Sequence, residues 1–155
     1  MTGRMGYTMV LAVALAWLAG CQTTRAPRAE VRSVAVTEQT AEGARIEVVV
    51  QVHNPNDVAL PVRSAAYDVT VDQAGTFTFT DQPPVTLPPR GEQTITLPAA
   101  FVRSDEPLVG RPVRVAGRLR YQPPGEIRQL MTDYWIPLPS LSFDRQATLD
   151  TFVDE

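Results

Sequence analysis

From Glu30 to Phe101 apolar and polar side chains alternate with a period of two. The run Arg45-Ile46-Glu47-Val48-Val49-Val50-Gln51-Val52-His53 places Ile46, Val48, Val50 and Val52 on one face and Arg45, Glu47, Gln51 and His53 on the other, which is the pattern of a strand with one buried side. Tyr67-Asp68-Val69-Thr70-Val71-Asp72 repeats it, and Phe77 and Phe79 continue the apolar side after a turn at Gln73-Ala74-Gly75. Ile95 and Leu97 alternate with Thr94 and Thr96. Val31, Val34 and Val36 open a first strand whose register the spacing leaves undecided. Prolines fall between these runs, at Pro55, Pro61, Pro83, Pro84, Pro88, Pro89, Pro123 and Pro124, where they punctuate strands and exclude helix interiors. About seven short strands separated by such turns predict an all-β chain folded as a single antiparallel β-sandwich.

The amino-terminal pattern is different. Arg4 precedes an apolar stretch from Tyr7 to Leu18, followed by Ala19 and Gly20, the layout of a secretory signal. The stretch is shorter than the roughly 20 apolar residues that a spanning helix needs. It ends in Leu18-Ala19-Gly20-Cys21, and Cys21 is the one cysteine of the chain. The run resembles the lipobox of bacterial lipoproteins. The resemblance implies removal of residues 1–20, lipidation of Cys21, and Gln22 in the position that favours the outer membrane. The expected order is then signal peptide (1–20), lipidated tether (21–30), sandwich (31–138) and acidic carboxy-terminal tail (139–155). The expected location is the cell envelope, as a periplasm-facing outer-membrane lipoprotein held in the membrane by lipid on Cys21.

Composition narrows the partners. Removing residues 1–20 takes away Arg4 and no acid, moving the formal charge from −3 to −4. A mildly acidic chain is not built to bind nucleic acid. With its one thiol lipidated, the mature chain has no internal disulfide, so its core alone must hold it together.

The residues Asn54-Pro55-Asn56, then Leu60-Pro61, then Tyr67 and the turn before Phe77, followed by Leu87-Pro88-Pro89-Arg90-Gly91-Glu92, resemble the group 2 late embryogenesis abundant family, whose domain is also called WHy (water stress and hypersensitive response). The likeness covers residues 31–138. It implies a seven-stranded sandwich similar to fibronectin type III and immunoglobulin-like domains, and a role in tolerating desiccation or other stress. The Asn-Pro-Asn run also has a purely structural reading: Pro55 holds Asn54 extended, and asparagine side chains bond nearby backbone to make a strand-to-loop corner.

The sequence holds no evident catalytic constellation. His53 is the sole histidine, and strand parity turns it away from the valine face. There is no metal-ligand spacing, no phosphate loop and no sign of a cofactor, so a non-enzymatic protein is expected. The candidate binding surface lies on the last expected hairpin, Val113–Gln122 with Ile127–Leu138. A four-residue connection at Pro123-Pro124-Gly125-Glu126 sets Leu119 opposite Leu130, Val115 opposite Tyr134 and Val113 opposite Ile136. The other face then carries Arg114, Arg118 and Arg120, with Trp135 across from Arg114 and Met131 across from Arg118. Three guanidiniums beside an indole suit lipid phosphate, an acidic glycan or an envelope protein. Two functions follow as expectations: protection of envelope components under stress, or an adaptor role in envelope assembly through that arginine face.

Overall fold

The computed structural model describes residues 25–102 and 107–151. Its elements are β1 (Arg28–Gln39), β2 (Gly43–His53), β3 (Leu60–Val71), β4 (Gly75–Asp81), β5 (Thr86–Leu87), β6 (Glu92–Val102), β7 (Pro112–Tyr121), α1 (Gly125–Asp133), β8 (Ser140–Thr148) and β9 (Asp150–Thr151). One sheet has the order β6-β2-β1-β9 and the other β4-β3-β7-β8, with β5 paired to the start of β3. The fold is the expected all-β sandwich.

Ile46, Val48, Val50 and Val52 of β2 are fully buried. They share one core with Tyr67, Val69 and Val71 of β3, Ile95 and Leu97 of β6, and Val113, Val115 and Leu119 of β7. The register that the sequence leaves open in β1 is settled by a bulge between Val31 and Ser33, which moves the inward side from Val31 to Val34 and Val36. An extra residue at a bulge reverses strand parity, so the simple alternation breaks there. A bulge between Val62 and Ser64 does the same in β3.

Between the edge strands β4 and β6 an aromatic cluster closes one side of the sandwich. The Phe77 and Phe101 rings have centroids 4.3 Å apart, and Tyr67 stacks on Phe79 at 5.5 Å. The Tyr67 hydroxyl donates to the carbonyl of Pro98 in β6, tying the sheets together. Pro98 costs the sheet no ladder bond it could not spare, since β6 is an edge strand.

Three expectations are corrected. The strand Ile127–Leu138 does not exist: Gly125–Asp133 is the helix α1, and the strand paired with β7 is β8, with Leu119 opposite Leu141, Val115 opposite Arg145 and Val113 opposite Ala147. The segment expected as an acidic tail from residue 139 is largely sheet, for Ser140–Thr148 forms β8 and Leu141, Phe143 and Leu149 are buried. The tether expected up to residue 30 is shorter, because β1 begins at Arg28 and Pro27 is already buried. The first correction has a physical reason. Ile127, Leu130, Met131 and Tyr134 fit a helical face at i, i+3, i+4 and i+7 as well as they fit an apolar strand match, and the true partner, Leu141 with Phe143, lies beyond them.

Candidate functional site

The Asn-Pro-Asn corner is a densely bonded polar feature, and Asn54 and Asn56 are the buried polar side chains among the described residues. Asn54 follows β2 and is fully buried. Its Nδ2 donates to the carbonyl of Val58 at 2.8 Å and of Pro88 at 2.9 Å. Its Oδ1 accepts from the amide of Asn56 at 3.1 Å and from Asn56 Nδ2 at 3.0 Å. A primary amide has two donors and two main acceptor positions, and all four are used. Asn56 in turn grips the entering chain: its Oδ1 accepts from the Arg25 amide at 2.7 Å and its Nδ2 donates to the Arg25 carbonyl at 2.8 Å. The Arg90 amide donates to the Asn56 carbonyl at 2.8 Å, and the Arg90 side chain pairs with Asp57. The guanidinium of Arg90 holds the Asp57 carboxyl below its ordinary range. Asn54 and Asn56 therefore lock three segments, 25–27, 54–58 and 88–91, into one end of the sandwich, and their polar atoms are spent on the fold. Leu60 is buried beside Leu87, its partner across the β3-β5 ladder, and Pro61 accepts from the Gln122 amide.

Tyr67 serves the same structural end. Burial, with a smaller contribution from the charge of Asp81, pushes its hydroxyl up to about 12. Tyr121 is also raised, by burial. A raised phenol stays protonated in the folded chain after the unfolded chain has lost its proton, so this stability is complete below about pH 10 and is lost as pH rises toward 12. We expect Tyr67→Phe to cost about 1 kcal/mol at neutral pH, one net hydrogen bond. It should also flatten the loss of stability between pH 10 and 12 in urea titrations. Parallel alkaline profiles for the two proteins would contradict this assignment.

The candidate arginine surface is only partly assembled. Arg114, Arg118 and Arg120 all project from the outer face of β7 and are exposed. Arg114 is engaged by Asp144 of β8, with Nε at 3.1 Å from Oδ1 and a second nitrogen at 2.5 Å from Oδ2. This pairing lowers the Asp144 carboxyl and raises the Arg114 guanidinium. Asp144 was not singled out from the sequence because its strand was not recognised. Trp135 does not lie across from Arg114, whose ladder partner is Gln146, and Arg118 faces Ser142 rather than Met131. Around Arg118 the outer face holds a shallow depression of about 490 Å³ over Ala66, Ala116 and Gly117, with Asp68, Thr78, Ser142 and Asp144 at its margin. Thr78 Oγ1 already donates to Asp68 at 2.6 Å.

His53 is exposed at the end of β2, between Arg28 and Glu92 in the ladder. Among the described residues no three His, Cys, Asp or Glu side chains come together to hold a metal ion, and no helix is long and apolar enough to cross a membrane. Cys21 lies outside the described residues.

Fold and site together define an all-β, two-sheet sandwich whose signature motif is consumed in building its own corner. Residues 49–138 match the family model LEA_2, late embryogenesis abundant protein, and the chain belongs to that family. Solved structures agree on the fold. A solution structure of a candidate late embryogenesis abundant (LEA) protein superposes with a TM-score of 0.56 at 16% identity, covering 94% of this chain and 84% of that one. The solution structure of an Arabidopsis thaliana protein gives 0.54 at 14% identity, covering 85% and 87%. The crystal structure of an Archaeoglobus fulgidus protein gives 0.51 at 16%, covering 83% and 98%. Among curated proteins no sequence matches.

Proposed function

We propose that this protein is a lipid-anchored, non-enzymatic sandwich of a bacterial envelope, of the WHy type, that protects or binds envelope components under dehydration or related stress. The observation that carries the reading is the attachment of the Arg25 backbone to the Asn56 side chain through two hydrogen bonds. Three residues, Gln22 to Thr24, separate that attachment from Cys21, a reach of about 14 Å at full extension. A triacylated Cys21 would thus hold the Asn-Pro-Asn end against the headgroups, and two or more acyl chains suffice for stable anchoring. Family membership supports the stress role. The motif residues offer it no catalytic group, since Asn54 and Asn56 are buried and internally bonded. The adaptor reading loses its main support with the displacement of Trp135 from the arginine face.

The test compares the full chain with Cys21→Ser in Gram-negative cells fed labelled palmitate. The parent chain should carry label in the membrane fraction, and the variant should carry none. Vesicles bearing the parent chain should retain an entrapped dye through drying better than vesicles bearing an unrelated lipoprotein sandwich. An unlabelled parent chain would overturn the anchor, and equal leakage would overturn the protective role.

A further inference from the structure

The connection between β7 and β8 carries an apolar surface that the described residues leave exposed. Ile127 and Leu130 of α1 and Tyr134, one residue past its end and still bonded to the Leu130 carbonyl, fall at i, i+3 and i+7 and therefore share one face. In a surface helix of a globular protein such a stripe ordinarily packs on the core. Here Ile127 and Leu130 are exposed, and beyond them Tyr134, Trp135 and Ile136 are exposed too, with Tyr134 at 72% and Trp135 at 93%. The described residues include one other large exposed hydrophobic side chain, Val109, which precedes β7 at the opposite end of the sandwich.

Two backbone bonds order the end of this segment. The amide of Tyr134 donates to the Leu130 carbonyl at 3.0 Å and that of Ile136 to the Met131 carbonyl at 2.9 Å. The second is the wrapping bond that ends a helix through a left-handed residue. That residue is Trp135, at φ 55°. Glycine usually occupies such a position, because a β-carbon is strained there. The chain therefore tolerates a strained backbone to present an indole to the outside.

Topology fixes the end of the sandwich at which it emerges. The β2 end at His53 runs through the Asn-Pro-Asn corner directly into β3 at Leu60, so both lie at one end of the sandwich. The last residue of β7 is at the same end, since the Gln122 amide donates to the Pro61 carbonyl at 2.8 Å and the Tyr121 amide to Pro139 at 3.1 Å. Arg25, bonded to Asn56, is at this end as well. The uncovered apolar segment and the chain's path toward Cys21 thus emerge together.

We propose that α1 and the segment Tyr134-Trp135-Ile136 form a second membrane contact, lying in the headgroup region of the bilayer with Ile127, Leu130 and Trp135 inserted at the acyl boundary. The orientation rests on the proposed anchor at Cys21. Trp and Tyr with aliphatic neighbours are the side chains that favour this interface, and amphipathic segments bury their apolar face about 5–10 Å deep there. Charge at this end is mixed, Arg25, Arg28, Arg63, Arg90, Arg120 and Arg128 with Glu30, Asp57, Glu92 and Asp133, so apolar insertion carries the contact and zwitterionic lipid suffices.

The experiment uses the full chain with Trp17→Phe, which leaves Trp135 as the one tryptophan, produced with and without Cys21→Ser. Each is added at saturating lipid to phosphatidylcholine vesicles with brominated acyl chains. Flotation difference between the two chains reads the anchor. Quenching of Trp135 reads the face: we expect a blue-shifted emission quenched at least twofold, reduced by Ile127→Ser with Leu130→Ser. Unquenched emission in both chains overturns the membrane contact, whatever the flotation shows. Self-association with an unquenched indole would assign the face to a second copy and likewise overturn it. Trp135→Gly separates contact from folding, because glycine relieves the left-handed position. In the Cys21→Ser chain it should leave the melting temperature unchanged or higher while weakening vesicle binding severalfold. A lowered melting temperature with binding intact would mark Trp135 as structural and overturn the proposal.

Discussion

Asn54→Asp should destabilise the sandwich by about 3–5 kcal/mol at pH 7, the range for an uncompensated charge in a buried network. The exchange replaces the Nδ2 group, which donates to the Val58 and Pro88 carbonyls, with an oxygen that faces both as an acceptor. A carboxylate in that place is desolvated and repelled, so its folded pKa must rise above the unfolded value of about 3.9. The folded variant then binds a proton that the unfolded variant has released, and its stability falls as pH climbs above that value. The deficit relative to the parent chain should be smaller near pH 4 than at pH 7, where denaturant midpoints for both proteins would reveal it. Asn54→Ala should lose about 2–4 kcal/mol without this pH dependence, since it leaves buried carbonyls unpaired but adds no charge. A pH-independent deficit below 1 kcal/mol for the aspartate variant would mean that the corner is not the lock the hydrogen bonds describe.

Gly117→Val is the second substitution expected to act strongly, for a steric reason. Gly117 occupies an inward-facing position of β7, in line with Val113, Val115 and Leu119. A β-carbon there would meet Tyr67 Cβ at 2.6 Å, Phe143 Cζ at 2.7 Å and the Ala66 carbonyl at 2.8 Å. Two of those three atoms belong to, or sit directly on, the backbone of β3, so a rotamer change cannot clear them. Even Gly117→Ala should cost about 1–3 kcal/mol as overpacking, and valine should exceed 4 kcal/mol, the rare end of single substitutions. Phe143→Leu removes the ring atom in the way and should recover part of the alanine penalty in a double-mutant cycle. Full recovery would mean that β3 moves freely, and no coupling would mean that the ring is not the obstacle.

Local pattern was enough wherever one strand face is buried without interruption. β2 and the Tyr67-Val69-Val71 part of β3 read directly, because each carries its own period. The Asn-Pro-Asn corner read as a backbone lock for the same local reason. Its full extent did not, because the bonds from Asn56 to Arg25 and from Asn54 to Pro88 join residues about thirty positions apart. β1 resisted because a bulge reverses its parity midway.

The arginine surface failed at the last hairpin. Leu119, Val115 and Val113 needed apolar partners, and the sequence offered two sets: Leu130, Tyr134 and Ile136, or a more distant strand led by Leu141 and Phe143. Periodicity cannot rank a near partner above a far one. The helical spacing of Ile127, Leu130, Met131 and Tyr134 was the available signal, and it points to the element that the structure contains.

The amino-acid sequence by itself determined the fold class, the inward faces of the uninterrupted strands, the family and the corner residues Asn54 and Asn56, since each is written in neighbouring positions. Tertiary structure alone decided that β8 rather than residues 127–138 completes the second sheet, that Arg114 is paired with Asp144, and that Trp135 stands exposed at the same end of the sandwich as Arg25. Those outcomes depend on which distant segments compete for the same sheet edge, and that competition is resolved only when the core of the whole domain is packed.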